Sequence, residues 1–209
     1  MIQLENTVIY GWEPAIRGMR NPLNSWDKSD SFAGEVGPND LALMKKLIRA
    51  GAPDRKFLRM IVVWVDITAP EYWWPEFDTY KVGTVRNSCS KMHRLHSRPL
   101  TLDDFSTEHL HEENIALLKQ VISVINTHRK LFTQGKNKDD WWQMLQLLPI
   151  SYNQRATVML NYEVLRNIWH TRRYHKQDEW REDFCKWIET LPYSELITME
   201  DISDERKAT

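Results

Sequence analysis

Residues 76–93 carry a high density of groups that can bind an anion. The stretch contains two lysines, one arginine, two serines, two threonines and one cysteine, with hardly an aliphatic side chain among them. Ammonium and guanidinium groups pair with phosphate or carboxylate, and hydroxyl groups add hydrogen bonds. We therefore interpret this segment as a loop that can hold an anionic ligand.

Two later arginines could serve the same chemistry. Arg155 and Arg172 lie in a segment that we predict to be one long helix, from Ser151 to about Arg173. Their separation is close to about five helical turns, so both would point the same way, with Asn161 near that face. Guanidinium groups bind planar anions bidentately, and such a row is suited to phosphate or carboxylate.

Histidine and cysteine offer weaker alternatives. The pairs His93/His96 and His109/His111 have no nearby cysteine or carboxylate cluster that would complete a ligand set, so we predict no metal site. Cys89 lies in a cationic stretch that favours a thiolate, but a nucleophile also needs a base and an orienting partner. A small, half-buried side chain is the simpler interpretation of this cysteine.

Composition indicates a globular protein with an ordinary balance of apolar and charged residues. The chain has 209 residues, 42% of them hydrophobic, and a formal net charge of -1, which excludes a global basic field for binding nucleic acid. Two cysteines are too few for a disulfide framework and favour a reducing compartment. We see no signal peptide and no run of about 18 apolar residues for a membrane span. These features predict a cytoplasmic protein.

The pattern of apolar residues predicts few strands and many helices. Strands are expected at Thr7–Tyr10 and Met60–Ile67, with an irregular polar segment over residues 12–38. Helices are expected over 39–50, 72–80, 115–132, 141–148, 151–173 and 178–190. Because no strong boundary appears, we predict one domain over residues 1–209.

Together these segments resemble the flavin-dependent thymidylate synthases. Leu148-Pro149 opens the later segment, His175 to Glu179 is similar to the HAQxE segment of the family, and the strand at 60–67 lies at the right distance before the polar loop. The positions that match functional residues of the family are Arg155, Asn161, Asn167 and Arg172.

The family signature RHRxxSxNExSxRY is altered in this chain. Thr79, Tyr80 and Lys81 stand at the RHR triplet, and Asn87 replaces a carboxylate. A family arginine two residues after Asn161 is Glu163 here, which reverses the charge. Residues 52–60 match none of the flavin-contacting residues upstream in the family.

The resemblance implies a fold, a reaction and an assembly. The fold would be α+β, helix-rich with a small early antiparallel sheet, like the thymidylate synthase complementing proteins. The reaction would convert dUMP to dTMP with FAD, methylenetetrahydrofolate and NADPH, in a homotetramer. Arg172 would polarise the uracil ring as the catalytic residue. Substrate-binding residues would be Glu76, Asn87, Cys89, Lys91 and Arg155, and flavin-binding residues Tyr80, Lys81, Asn161, Asn167 and His175.

Two other functions fit the same residues. A flavin-free relative, active or not, would bind a pyrimidine nucleotide such as dUMP, dCMP or dTMP through the two arginines. A structural or interaction protein of the same fold would instead use its aromatic segments, Tyr72-Trp73-Trp74 and Trp141-Trp142, for subunit contacts and bind no small ligand.

Overall fold

The structure is a computed structural model that describes residues 1–200. Four strands form one small antiparallel sheet: β1 (Gln3–Tyr10), β2 (Val62–Pro70), β3 (Val85–Ser88) and β4 (Asn153–Asn161). Their order in the sheet is β1-β2-β4-β3. Helices account for much of the remainder, so the predicted helix-rich α+β class is confirmed.

The α-helices run along the whole described chain. They are α1 (Trp12–Arg20), α2 (Pro38–Ala50), α3 (Trp74–Phe77), α4 (Lys91–Arg94), α5 (Glu112–Gly135), α6 (Lys138–Gln146), α7 (Tyr162–Arg172), α8 (Cys185–Glu189) and α9 (Glu195–Thr198). A π-helix, Glu179–Phe184, leads into α8, and a 3-10 turn, Arg55–Met60, precedes β2. Over residues 1–200, no helix is long and apolar enough to cross a membrane.

The predicted helix over residues 151–173 is wrong in its first half. Residues up to Asn161 form β4, and only the remainder is helical, as α7. In β4, Ala156, Val158 and Leu160 are buried and alternate with more exposed neighbours, which is the period of a strand rather than a helix. Arg155 and Arg172 therefore do not share a helix, and the predicted alignment of their side chains along five helical turns is wrong.

The segment over residues 12–38 is more regular than predicted. It begins with α1, whose residues Ala15, Ile16 and Met19 are buried at helical spacing. The rest is organised by a buried ion pair, in which Arg20 Nε donates to Asp40 Oδ1 at 2.6 Å. A segment that we expected to be irregular therefore has a fixed charged centre.

The described chain divides into two compact units. The first comprises Met1–Gln3, Ile67–Thr79 and Asn87–Thr157, and the second comprises Leu4–Asp66, Tyr80–Arg86 and the described residues from Val158 onward. The single domain expected over residues 1–209 stays a prediction, and positions 201–209 lie outside the described residues.

Each unit has an apolar core of its own. The first contains a cluster of buried side chains from α5, α6 and the segment before α5, namely Leu95, Leu100, Phe105, Leu118, Ile122, Ile125 and Met144. In the second unit, α7 packs against α8 and α9, and its buried aromatic side chains include Tyr162, Trp180 and Phe184.

Two tryptophans that the interaction-protein alternative would use for subunit contacts lie in the interior instead. Trp73 is 0% exposed and Trp74 is 2% exposed, and their rings contact each other edge to face. The Trp74 indole also donates to the carbonyl of Ala69 at 3.1 Å. Both side chains pack within the first unit and are too buried to contact another subunit. This aromatic segment therefore does not support the interaction-protein hypothesis.

Candidate functional site

One cavity of about 300 Å³ lies in the first unit, and we name it the Arg155 pocket. Strand β4 contributes Arg155 to its lining, and the segment that leads into α4 contributes Cys89 and Lys91. The lining also includes Arg94, Arg98, Asp103, Asp104, Tyr152 and Gln154. Four cations against two carboxylates give this cavity a positive balance, which favours an anionic ligand.

Backbone pairing fixes the position of Cys89 in this pocket. Its N–H donates to the carbonyl of Arg155 at 2.9 Å, and its own carbonyl accepts from Gln154 Nε2 at 2.8 Å. Gln154 is buried, so its amide is held in place by the surrounding side chains. The start of α4 is therefore attached to β4, which places the polar loop beside Arg155.

The cations of the Arg155 pocket differ in what compensates them. Lys91 Nζ donates to Glu71 Oε2 at 2.7 Å. Arg98 binds the carboxylate of Asp104 with both terminal nitrogens. Arg94 is exposed, and among residues 1–200 no side chain pairs with its guanidinium. Arg94 therefore has its donors available for a ligand.

The pair of Arg98 and Asp104 is a fixed feature of the pocket wall. Burial alone would raise the pKa of Asp104, but hydrogen bonds from the Arg98 guanidinium and from the Thr101 backbone outweigh burial and lower this pKa. The carboxylate therefore stays ionised near neutral pH and keeps Arg98 oriented.

A second cavity, of about 480 Å³, lies in the second unit, and we name it the Asn161 pocket. Its lining comes from the 3-10 turn before β2, from the loop before β3 and from α7 with its cap residue: Arg55, Arg59, Val82, Gly83, Asn161, Glu163, Val164, Arg166, Asn167 and His170. The Asn161 side chain accepts from the backbone N–H of Val164 at 3.1 Å and so caps α7.

The three arginines of the Asn161 pocket have different surroundings. Arg55 Nε donates to both carboxylate oxygens of Glu163, at 3.2 Å each. Arg166 is buried and donates to the carbonyls of Ile197 and Met199 at 2.9 and 2.5 Å, so its role is to hold the fold. Arg59 is exposed and has no side-chain partner in the described part of the chain.

A glycine allows the loop before β3 to approach α7 closely. Gly83 has a φ of +80, and a Cβ built at this position would lie 2.9 Å from Asn161 Nδ2. Both the positive φ and the close approach of the Asn161 amide disfavour a larger residue there. The loop can therefore line the Asn161 pocket beside the cap of α7.

A third group of side chains in the second unit surrounds Arg172, and we name it the Arg172 cluster. Arg172 Nε donates to the hydroxyl of Tyr80 at 2.9 Å, and its guanidinium carbon lies 5.0 Å from the centre of the Trp180 ring. The ring of His175 contacts Trp180 with centroids 6.5 Å apart. Hydrogen bonding and cation–π contact thus orient this arginine.

Only solved structures, and no sequence, were found to be similar to this chain. No protein-family model matches the chain, and no curated protein matches its sequence. Thymidylate synthase X from Helicobacter pylori, crystallised with FAD and dUMP, matches with a TM-score of 0.72 at 15% identity, over 95% of this chain and 100% of that one.

Two further structures match in the same way. Another structure of the Helicobacter pylori enzyme with FAD and dUMP has a TM-score of 0.68 at 15% identity and covers 94% of this chain and 97% of that chain. The UMP/dUMP methylase PolB from Streptomyces cacaoi, bound with 5-Br UMP, has a TM-score of 0.63 at 15% identity and covers 95% and 94%. The chain has the thymidylate synthase X fold.

Eight of the eleven predicted site residues fall into the three groups described above. Within the thymidylate synthase X fold, the Arg155 pocket contains Cys89, Lys91 and Arg155, the Asn161 pocket contains Asn161 and Asn167, and the Arg172 cluster contains Tyr80, His175 and Arg172. The other three lie outside these groups: Glu76 is half-buried on α3, and Lys81 and Asn87 are exposed. Their roles stay predictions.

Sequence reasoning missed several residues that line the two pockets. Arg94 follows residues 76–93 directly and Arg98 lies four residues later, so their charge was a signal that the cationic segment extends to residue 98. Arg55 and Arg59 lie in a stretch that matches no family residue, and His170 lies between two predicted positions. Within residues 1–200, no group of three or more His, Cys, Asp or Glu side chains is arranged to hold a metal ion.

Proposed function

We propose that the chain is a divergent flavin-dependent thymidylate synthase that binds a pyrimidine nucleotide in the Arg155 pocket. Its reaction would methylate dUMP to dTMP, with methylenetetrahydrofolate and NADPH as co-substrates, in a cytoplasmic homotetramer. The supporting observation is that Cys89, Lys91 and Arg155, predicted from the sequence as substrate-binding residues, line one cationic cavity.

The nucleotide phosphate would bind to guanidinium groups in this pocket. Arg155 and Arg94 both line the cavity, and a guanidinium fork matches two phosphate oxygens. Lys91 is held by Glu71 and would add positive charge without moving. The backbone at Cys89 is held by β4, so the wall of the pocket would be ordered before the nucleotide arrives.

The polar groups of the Asn161 pocket fit the chemistry of FAD. Two arginines that line the cavity, Arg55 and Arg59, suit its diphosphate, and Asn161, Asn167 and His170 suit its polar heterocycles and ribityl chain. FAD, when bound, supplies the redox chemistry of the reaction. The residues of this chain would bind it and orient it.

Arg172 would act on the nucleotide base, as the resemblance implies. Tyr80 and Trp180 hold its guanidinium in one orientation, which would avoid reorganisation when negative charge develops on the uracil ring. A cation fixed in advance stabilises such charge more than a mobile one. In this role Tyr80 and Trp180 are positioning residues.

A flavin-free nucleotide-binding relative is the second candidate, and a specific observation favours it. At the position of the first family arginine, the hydroxyl of Thr79 donates to the carbonyl of Glu76 at 2.7 Å and presents no charge. Asn87, in place of the family carboxylate, is an exposed residue of β3. Each missing charge-assisted hydrogen bond would weaken flavin binding by about 1.5–3 kcal/mol.

Calorimetric titration of the purified protein with dUMP tests the substrate site. We expect Arg155→Ala to raise the dissociation constant by about 10- to 100-fold, because a charge-assisted hydrogen bond is lost. Lys119→Ala, which removes an exposed charge from α5 outside the pocket, is the matched control and should change it less than about twofold. Wild-type protein that binds none of dUMP, dCMP or dTMP would reject both candidate functions.

The absorbance spectrum of the freshly purified protein separates the two candidates. A flavin spectrum, or uptake of added FAD, supports the synthase. A colourless protein that binds dUMP but takes up no FAD supports the flavin-free relative instead. Measurement of dTMP formation with all co-substrates then tests the reaction itself.

A further inference from the structure

An open groove in the second unit is formed by the end of β1, the start of α1 and the segment that follows α8. Its volume is about 930 Å³, and we name it the Trp12 groove. Aromatic rings and proline rings line it: Tyr10, Trp12, Pro14, Trp187, Pro192 and Tyr193. None of these residues belongs to the two pockets or to the Arg172 cluster, so the proposed function leaves the groove without a role.

The aromatic rings of the Trp12 groove are held in place by their neighbours. Trp12 and Tyr193 contact each other edge to face, with ring centroids 5.0 Å apart. The Trp187 indole donates to the hydroxyl oxygen of Thr7 at 3.1 Å, which joins α8 to β1. Tyr193 has a φ of +53, which a tyrosine rarely adopts, and its hydroxyl oxygen accepts from the backbone N–H of Val36 at 3.0 Å. A strained residue that its surroundings hold in place is typical of a binding site.

Several donors in the groove have no acceptor within residues 1–200. The Trp12 indole N–H donates to no group in this part of the chain, and the hydroxyls of Thr7 and Tyr193 accept a hydrogen bond but donate none. Tyr10 is 66% exposed, and its hydroxyl also donates to no described group. These donors suit a ligand that brings carbonyl oxygens rather than further N–H groups.

The charge of the Trp12 groove is opposite to that of the two pockets. Among the described residues that line it, the exposed Glu13 is the only charged one. The Arg155 and Asn161 pockets each contain several arginines instead. The groove therefore disfavours a phosphate group and is complementary to a ligand that carries a cation.

A proline-rich peptide with a basic residue combines these properties. Proline has no backbone N–H, so such a segment presents carbonyl oxygens as acceptors and apolar rings that pack on aromatic faces. Its polyproline II conformation is largely formed before binding, which lowers the entropic cost, and aromatic-lined grooves recognise it in other proteins. An arginine or lysine beside the prolines would pair with Glu13 at the edge of the groove.

We propose that the Trp12 groove binds a proline-rich segment of a partner protein, in polyproline II conformation and with a basic residue at one end. The aromatic and proline rings contact the prolines of the ligand, and the Trp12 indole and the Tyr193 hydroxyl donate to its carbonyls. This inference goes beyond the proposed function and does not depend on it.

Calorimetric titration of the full chain with a synthetic ten-residue peptide tests the proposal. The peptide has Pro-x-x-Pro spacing and one terminal arginine, and its control has alanine at every proline position. We expect the control peptide to bind at least about tenfold more weakly, because it lacks the ordered conformation and the rings. A chain that does not bind the proline-rich peptide at about 1 mM, or that binds both peptides equally, would overturn the proposal.

Two variants then locate the peptide in the groove. Tyr10→Ala removes an exposed ring and should weaken binding by about three- to tenfold, with Tyr174→Ala, an exposed tyrosine elsewhere in the second unit, as the matched control. Trp12→Phe keeps an aromatic ring but removes the N–H, and should weaken binding by about two- to tenfold. Wild-type affinity in both variants would place the peptide elsewhere and overturn the assignment.

The role of Glu13 is tested by changing both members of the expected ion pair. Glu13→Gln should weaken the arginine peptide by about two- to fivefold and leave a peptide with glutamine in place of the arginine unchanged. Asp27→Asn, an exposed acidic residue outside the groove, is the control. Equal effects on the two peptides would contradict the pairing with Glu13.

Titration of the same samples with dUMP keeps this inference separate from the proposed function. A chain that binds the peptide with the expected variant effects but binds no pyrimidine nucleotide supports the inference and counts against the proposed function alone. A chain that binds dUMP but not the peptide overturns the inference alone.

Discussion

In the Arg155 pocket, most of the positive charge comes from one short stretch, Lys91 to Arg98, together with Arg155 on the neighbouring strand. In the Asn161 pocket, Arg55 and Arg59 come from a turn more than a hundred residues before the helix that it faces. The first pocket is thus built largely from local sequence, whereas the second depends on tertiary folding. A charge carried by a local stretch can be recognised from composition, but a charge brought in by folding cannot.

The two cysteines offer the sharpest contrast between the two units. Cys89 is exposed and lines the Arg155 pocket, whereas Cys185 is buried in α8. Burial first, and the nearby charge of Glu189 second, raise the pKa of the Cys185 thiol to about 12. At pH 8, about one Cys185 side chain in ten thousand is therefore a thiolate.

We expect iodoacetamide at pH 8 to modify Cys89 at least about a thousandfold faster than Cys185, as followed by mass spectrometry of peptides. Saturating dUMP should slow the labelling of Cys89, since the proposed nucleotide site contains this residue. Cys89→Ser is the control and should leave almost no label. Equal labelling of both thiols would contradict the burial of Cys185, and labelling unaffected by bound dUMP would remove Cys89 from the nucleotide site.

The second unit contains an ion pair, Arg20 with Asp40, that is more deeply buried than the pair of Arg98 and Asp104 in the first unit. Asp40 is 0% exposed and accepts from Arg20, Ser29 and Ser31. Burial opposes ionisation of Asp40, but the hydrogen bonds from Ser31, Ser29 and Arg20 outweigh it and lower its pKa. Because the folded pKa lies below the unfolded value of about 3.9, this stabilisation is present above that pH and is lost as the pH falls through the folded pKa.

We expect Asp40→Asn to lower the free energy of unfolding by about 3–5 kcal/mol, since it leaves the buried Arg20 without its counter-charge. Arg98→Ala, in the wall of the Arg155 pocket, is the contrasting change and should cost at most about 1 kcal/mol, because the Arg98 side chain is 59% exposed. Urea unfolding at pH 7, where both carboxylates are ionised, measures both changes. A loss in Asp40→Asn that is no larger than in Arg98→Ala would contradict the central role of Asp40.

The contrast between local sequence and tertiary folding also explains which elements could be predicted from the sequence. Helix α5 and strand β2 follow from local apolar patterns, and both appear close to the predicted positions. The predicted helix at 151–173 failed because Val158 and Leu160 fit a helical stripe as well as a strand. The alternation of Ala156, Val158 and Leu160 with Arg155 and Thr157 and the capping residue Asn161 were the signals that favoured a strand followed by a helix.

The site residues divide in the same way. Lys91, Cys89 and Arg155 could be grouped because the first two lie in one polar loop and a family resemblance supplied the third. The pairing of Arg55 with Glu163 could not be predicted, since nothing in the local pattern of residues 52–60 indicates which helix the turn will face. Knowledge of the sheet order, in which β4 lies beside β2, would have narrowed that choice.

Two glycines, one packed against another element and one in open space, test the effect of a tertiary contact on a smaller scale. Gly83, in the Asn161 pocket, has a φ of +80 and leaves no room for a Cβ beside Asn161 Nδ2, whereas nothing lies within 4 Å of a Cβ at Gly135, at the end of α5. We expect Gly83→Ala to lower the free energy of unfolding by about 1–2 kcal/mol, because an L-residue is strained in the left-handed region. Gly135→Ala should leave it unchanged or raise it by about 0.5 kcal/mol.

Ligand binding to Gly83→Ala then tells whether the loop before β3 matters to the Asn161 pocket. A displaced Asn161 amide should weaken FAD, and ADP as a probe of its diphosphate, by severalfold, while dUMP affinity stays within about twofold of wild type because the Arg155 pocket belongs to the other unit. Thermal melting and titration of the two variants side by side provide both measurements. If Gly83→Ala weakened dUMP as much as ADP, the two pockets would be energetically coupled rather than independent.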